Sequence, residues 1–167
     1  LVKSGLSVLE FMVRDVYLHR GITVVAGKIG YEQSLVYAID SGQYYGIADP
    51  AFMLEVERFA DWLEEQPDVS VVNSYVGMLK TLNEAENDND EAWHILPDDN
   101  LQVIDYLVGY QLVQEIEPHL EPIFDPEYTT VRVVVGKSNL SNVQPLELNK
   151  RIDAWHAAHL NPKHPVL

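Results

Sequence analysis

The predicted elements of this 167-residue chain run strand, helix, strand, two helices, strand, helix, an order that points to an α+β sandwich made of two strand–helix–strand units. Three observations carry that expectation. "ADPAFMLEVERFADWLEEQPDVSVVNS", residues 48–74, holds a helix start, an amphipathic helix, a stop and the beginning of a strand. "TTVRVVVG", residues 129–136, is the strongest strand pattern in the chain, because β-branched residues fit a pleated surface. A long helix then places Leu148, Ile152 and Trp155 at i, i+4 and i+7, and the strand needed to finish the second unit is missing. The expected architecture is a ferredoxin-like sandwich with a helical insertion at about residues 74–116, in the place of a hairpin, and with its second unit incomplete.

The elements follow in order. Residues 1–33 read as a separate N-terminal segment, in which "SVLEFMVRDVYLHR" has a weak helical period and "GITVVAGKIG" resembles a short strand between glycines. "QSLVYAID", residues 33–40, alternates as a strand, and "SGQYYGIADP" turns the chain toward a helix cap. Asp49 can accept hydrogen bonds from free first-turn amides, and Pro50 fits the next position, where a missing N–H costs nothing. Phe52, Val56, Phe59, Ala60 and Leu63 make one apolar stripe, while Glu55, Glu57, Asp61, Glu64 and Glu65 mostly take the wet side. Pro67 forbids further helix, and Val69, Val71 and Val72 favour extension, so the spacing fits the crossover of a βαβ unit.

Ser74 can cap a second helix, "YVGMLKTLNEA", which stops in the polar run "ENDNDE" at residues 86–91. After "AWHILP" a third helix begins at Asp98 or Asp99, with Leu101, Ile104, Val108 and Leu112 on one stripe and Tyr106 and Tyr110 beside it. "EPHLEPIFDPEY" has three prolines and reads as a stiff loop. Ser141 caps the last helix, and residues 161–167 form an extended tail. "DWLEEQP" and "DAWHAAHLNP" share a tryptophan, Trp62 or Trp155, near a helix end; general helix rules or an internal duplication would each produce that likeness.

Composition bounds the function. At 47% apolar residues the chain can bury a sizeable core. Twenty-six acidic against eleven basic residues give a formal charge of −15, which disfavours nucleic acid and anionic membrane surfaces. The absence of cysteine excludes disulfides, thiolate metal sites and cysteine nucleophiles. No run of about eighteen apolar residues marks a membrane span, no signal-peptide pattern opens the chain, and a start at Leu1 suggests a processed product or an excised segment.

Candidate sites are few. His156 and His159 share a helix face at i, i+3, with Asp153 or His164 as further ligands, but no metalloprotease glutamate follows and histidines near a helix C-terminus are favoured by the macrodipole alone. A calcium loop counted from Asp88 would need glycine where Trp93 stands. "GKIG" at residues 27–30 lacks the pattern of a phosphate loop, and no nucleophile elbow is present. Neither a cofactor nor a catalytic residue is expected. Aromatic rings remain: Trp93, Tyr106 and Tyr110 are candidate lining residues of an apolar cleft beside the inserted helices.

"GIADPAFMLEVERFADWLEEQPDVSVVNSYVGMLKTLN", then "ILPDD", "YLVGYQLV" and "YTTVRVVV", resembles the soluble periplasmic loop of predicted exporters of the RND superfamily, in its branch of hydrophobe and lipid exporters. The resemblance covers about residues 34–160 and is carried most specifically by Gly46 to Pro50, Trp62 to Val69 and Val72 to Tyr75. It looks more like the second such loop than the first. It implies a porter subdomain of βαβ character, periplasmic in a bacterial inner-membrane protein, that guides hydrophobic or amphiphilic cargo without changing bonds. Its implied partners are the exporter's other loops and its transmembrane helices, where the proton-coupling residues would lie. In the third helix the family's usual run is replaced by "QVIDYLVGYQL", which keeps Tyr106, Leu107 and Tyr110 but changes the rest and leaves cargo choice open. Two other readings stand beside it: a free-standing periplasmic binding or adaptor module, and a small enzyme or metal-binding protein using His156 and His159. An incomplete sheet edge also offers a route to homo-oligomers.

Overall fold

The computed structural model describes residues 34–117, 122–137 and 145–159. The expectations for residues 1–33, for the Ser141 cap, for His164 and for the tail at 161–167 lie outside these. The described elements are β1 (Ser34–Asp40), α1 (Pro50–Glu64), β2 (Val69–Ser74), α2 (Tyr75–Glu86), α3 (Asn100–Ile116), β3 (Thr130–Lys137) and α4 (Pro145–His159). Short 3-10 turns occupy Gly46–Ala48 and Glu91–Trp93. The class is α+β, with a three-stranded antiparallel sheet and four helices among the described residues. No described helix is long and apolar enough to cross a membrane.

The sheet order is β1-β3-β2. β3 runs antiparallel to both neighbours, with Tyr37 opposite Val133 and Val72 opposite Val135, so β1 and β2 are parallel to each other. The helix crossover predicted between β1 and β2 is present, but the two strands do not pair directly: β3 lies between them. β3 takes the centre because its alternate residues Val131, Val133 and Val135 are fully buried, and both its ladders are paired.

Local chemistry fixes α1 as the sequence predicts. Asp49 Oδ1 accepts from the Ala51 amide at 2.8 Å, with Pro50 at the first helical position. Phe52, Val56, Phe59, Ala60 and Leu63, joined by Met53, are all buried. Tyr75 anchors the end of β2 by donating its hydroxyl to the Ile47 carbonyl at 2.9 Å. Burial pushes its pKa well above the ordinary tyrosine value, with the Asp49 charge adding to the effect.

α4 buries Leu148 and Ile152, while Trp155 is only half-buried. The two tryptophans near the ends of α1 and α4 meet: Trp62 and Trp155 stack with centroids 5.4 Å apart, and Phe59 lies 5.3 Å from Trp155. Arg151 Nη2 ion-pairs with Asp68 Oδ1 at 2.6 Å, and its Nη1 donates to Gln66 Oε1 at 2.7 Å. Tyr37 donates its hydroxyl to Asn149 Oδ1 at 2.8 Å.

Contacts divide the chain into two compact units. In the described residues, one comprises 34–75, 123–137 and 145–159, carrying the sheet with α1 and α4; the other is carried by 76–117, with α2 and α3.

Candidate functional site

The helical unit holds all three aromatic candidates, Trp93, Tyr106 and Tyr110. Asp99 caps α3 by accepting from the Leu101 amide at 2.9 Å, and Asp90 Oδ1 accepts from the Ala92 amide at 3.0 Å to start the turn that carries Trp93. Asn83 on α2 is buried and clamps that turn, its amide nitrogen donating to the carbonyls of Trp93 (3.2 Å) and Ile95 (3.0 Å). Beside it, His94 Nδ1 sits 2.7 Å from Glu84 Oε2.

Tyr106 is buried and committed. Its hydroxyl donates to Glu86 Oε2 at 2.7 Å, and Gln102 Nε2 donates to the same hydroxyl at 2.7 Å. Gln102 also reaches Glu86 Oε2 at 3.1 Å and Asn83 Oδ1 at 3.3 Å, so one amide links α3 to two acceptors on α2. Burial first, and the Glu86 contact second, push the Tyr106 pKa far up, so the phenol stays neutral. The network pins one helix to the other; it leaves Tyr106 no open valence for chemistry.

α3 is apolar on two opposite faces. The inner face buries Val103, Tyr106, Leu107, Tyr110 and Val113. The outer face carries the aliphatic stripe read from the sequence, and three of its four residues are exposed there: Leu101 at 69%, Val108 and Leu112, while Ile104 is half-buried; Ile116, 68% exposed, extends the stripe by a turn. An aliphatic stripe ordinarily faces a core, but here the tyrosines go inward because Glu86 and Gln102 satisfy the Tyr106 hydroxyl, so burial costs no lost hydrogen bond. From Leu101 to Ile116 the stripe is roughly 22 Å long at the α-helical rise. Exposed Asp105 and Glu115 punctuate it, which makes the face amphiphilic rather than greasy throughout.

Of the three aromatic candidates, Trp93 is exposed on its turn, whereas Tyr106 and Tyr110 are buried. Glu86, Gln102 and Asn83 were not singled out from sequence; their partnership spans two helices, and only the pairing of α2 with α3 reveals it.

In the sheet unit, Asp153 and His159 are exposed, and the His159 ring stacks on Trp155 at 4.9 Å. Its Nδ1 lies 2.9 Å from the Trp155 carbonyl, so the helix end itself engages it. Among the described residues no three His, Cys, Asp or Glu side chains gather as a metal-binding group. Comparison with protein-family models, with curated proteins and with solved structures finds no match to this chain.

Proposed function

We propose that residues 34–160 are an extracytoplasmic porter-type domain of a proton-driven RND exporter, which guides hydrophobic or amphiphilic cargo and catalyses no bond change. The observation that carries this reading is the exposed aliphatic stripe of α3, Leu101 to Ile116. A helix with a buried face and a second apolar face in water, on a chain of formal charge −15, has a surface suited to an apolar contact beyond itself. Leu101, Val108, Leu112 and Ile116, with Trp93 nearby in sequence, are the residues assigned to cargo or to the exporter's other loops; Tyr106 and Tyr110 hold α3 in register beneath them.

The sheet supports the same reading. Parallel β1 and β2 joined through α1, with antiparallel β3 between them, are compatible with the first three strands of a ferredoxin-like sheet. Among the described residues no strand follows α4.

Titration of the chain with a fluorescent fatty acid tests the cargo assignment. Saturable binding that falls at least about tenfold, or 1.4 kcal/mol, in Val108→Asp/Leu112→Asp is expected. Equal affinity in that variant would remove the stripe from the cargo path. The exporter itself is tested in the encoding genome, where hydrophobic spans of about twenty residues should flank these codons in one reading frame. Their absence would leave a free-standing binding or adaptor module as the better reading.

A further inference from the structure

Two loops of the sheet unit, residues 40–49 and 123–130, carry Tyr44, Tyr45, Phe124 and Tyr128 together with Asp40, Asp49, Asp125 and Glu127, and no Lys, Arg or His. Their rings form a ladder from core to solvent. Phe124 stacks on Tyr128 at 5.5 Å, Tyr128 on Tyr45 at 4.9 Å with the planes 11° apart, and Tyr44 meets Tyr45 edge-to-face at 4.5 Å. Phe124 and Tyr128 are buried, but Tyr45 is exposed and Tyr44 is 70% exposed, so the outer half of the ladder contributes little to a core.

The backbone that presents these rings is strained and locked. Tyr45 and Tyr128 have φ of 56° and 57°, a left-handed conformation that bulky side chains rarely adopt. The loops hold it by mutual hydrogen bonds: Ser41 N and Oγ both donate to the Thr129 carbonyl (2.8 and 2.7 Å), and Ile47 N donates to the Tyr128 carbonyl at 3.2 Å. Asp125 Oδ1 accepts from the amides of Thr129 (2.8 Å) and Thr130 (2.6 Å). Gly46 closes the turn so tightly that a Cβ there would collide with Ser41 Oγ. Asparagine or glycine would meet the conformation at Tyr45 without strain. A tyrosine held there, with a second tyrosine exposed beside it, indicates selection for the ring rather than for the turn.

Asp125, Asp49 and Asp40 spend carboxylate oxygens on backbone amides. Glu127 is exposed, and its carbonyl accepts from the Tyr45 amide at 3.4 Å, which sets it beside the two outer rings. Ring faces rich in π density, with an adjacent carboxylate and no basic residue within either loop, are the chemistry that attracts a weakly hydrated organic cation.

We propose that Tyr44 and Tyr45, backed by Tyr128 and flanked by Glu127, bind an alkylammonium group of about the size of trimethylammonium. The site is independent of the exporter reading, since it lies in the sheet unit and uses none of the α3 stripe.

Amide NMR of the 167-residue chain titrated with choline tests it, with choline's uncharged isostere, in which carbon replaces the nitrogen, as control. Choline is expected to shift the amides of Gly42, Tyr44, Tyr45 and Glu127 saturably, and the isostere to leave them in place. Tyr44→Leu should weaken choline about two- to fivefold, the worth of an exposed cation–π contact, while Tyr44→Phe keeps the affinity and Glu127→Gln lowers it. Tyr44 is a surface side chain, so an unchanged spectrum away from the loops verifies that its variants fold. The proposal is overturned if the isostere binds as well as choline, if Tyr44→Leu binds choline like the parent, or if the shifts only follow those of sodium chloride at equal ionic strength.

Discussion

Leu107 and Leu112 sit on opposite faces of α3, and truncating each in turn measures which face the fold uses. Leu107 is 1% exposed, so Leu107→Ala loses the transfer energy of a buried side chain and leaves a cavity that its neighbours fill only in part. Such changes cost about 2–5 kcal/mol, and about 3 kcal/mol is expected here. Leu112 is 45% exposed. Only about half of the ~1.5–3 kcal/mol that full leucine burial is worth can be lost there, and water fills the vacated space, so Leu112→Ala should cost about 1 kcal/mol. Urea denaturation followed by far-UV circular dichroism compares the two, read as the shift in midpoint at constant slope. A gap of about 2 kcal/mol, Leu107→Ala being the worse, supports the inward tyrosine face and the outward stripe. Equal losses, or a larger loss for Leu112→Ala, would refute the orientation of α3 and with it the surface on which the proposed function rests.

Arg151→Met should destabilise the chain by about 3 kcal/mol, because it strands the Asp68 carboxylate, itself 1% exposed, whose Oδ2 has no hydrogen-bond partner among the described residues. Chemical denaturation reads this, and adding Asp68→Leu to Arg151→Met should recover part of the loss; a cost under about 1 kcal/mol would mean that the pair is solvated. Burial pulls the Asp125 carboxyl up, but hydrogen bonds from Thr130, Thr129 and Glu127 outweigh it and hold its pKa below the ordinary aspartate value. Its stabilisation is therefore full above the ordinary aspartate pKa and is lost as pH falls through the lower, folded value; Asp125→Ala should cost about 2 kcal/mol at neutral pH and flatten the acid limb of a stability-against-pH curve. Tyr37 is pushed up to about 12, by burial first and then by the Asp68 and Asp153 charges. The sign is opposite: its contribution is full below the ordinary tyrosine pKa of 10.0 and is lost as pH rises from there toward 12. Tyrosinate absorbance should show a late-titrating group that Tyr37→Phe removes, and an unchanged titration would mean that Tyr37 ionises like an exposed phenol.

Local rules made much of the fold legible. Asp49 with Pro50, the stripe from Phe52 to Leu63 and the stop at Pro67 act within a few residues of one another, so their outcome depends on the chain alone. The valines of β3 likewise mark a buried strand wherever it is placed, whereas the meeting of Trp62 with Trp155 was not read from the likeness of their helix ends. The registers of β3 against β1 and β2 were not legible, because they are settled by two ladders between segments some sixty to a hundred residues apart. Nor was the orientation of α3. Its two faces are both apolar by composition, and hydrophobic period cannot rank a stripe of aliphatics against one of tyrosines and valines.

The sequence by itself determined where the helices start and stop, which residues are apolar, and that the chain is strongly acidic. Tertiary structure decided which apolar face is buried and which rings share a surface. The reason is energetic: a tyrosine hydroxyl can be buried cheaply only if an acceptor such as Glu86 is carried to it by another helix, and a tyrosine can hold a left-handed turn only if a second loop locks it there. Both conditions depend on partners distant in the chain, which no local pattern encodes.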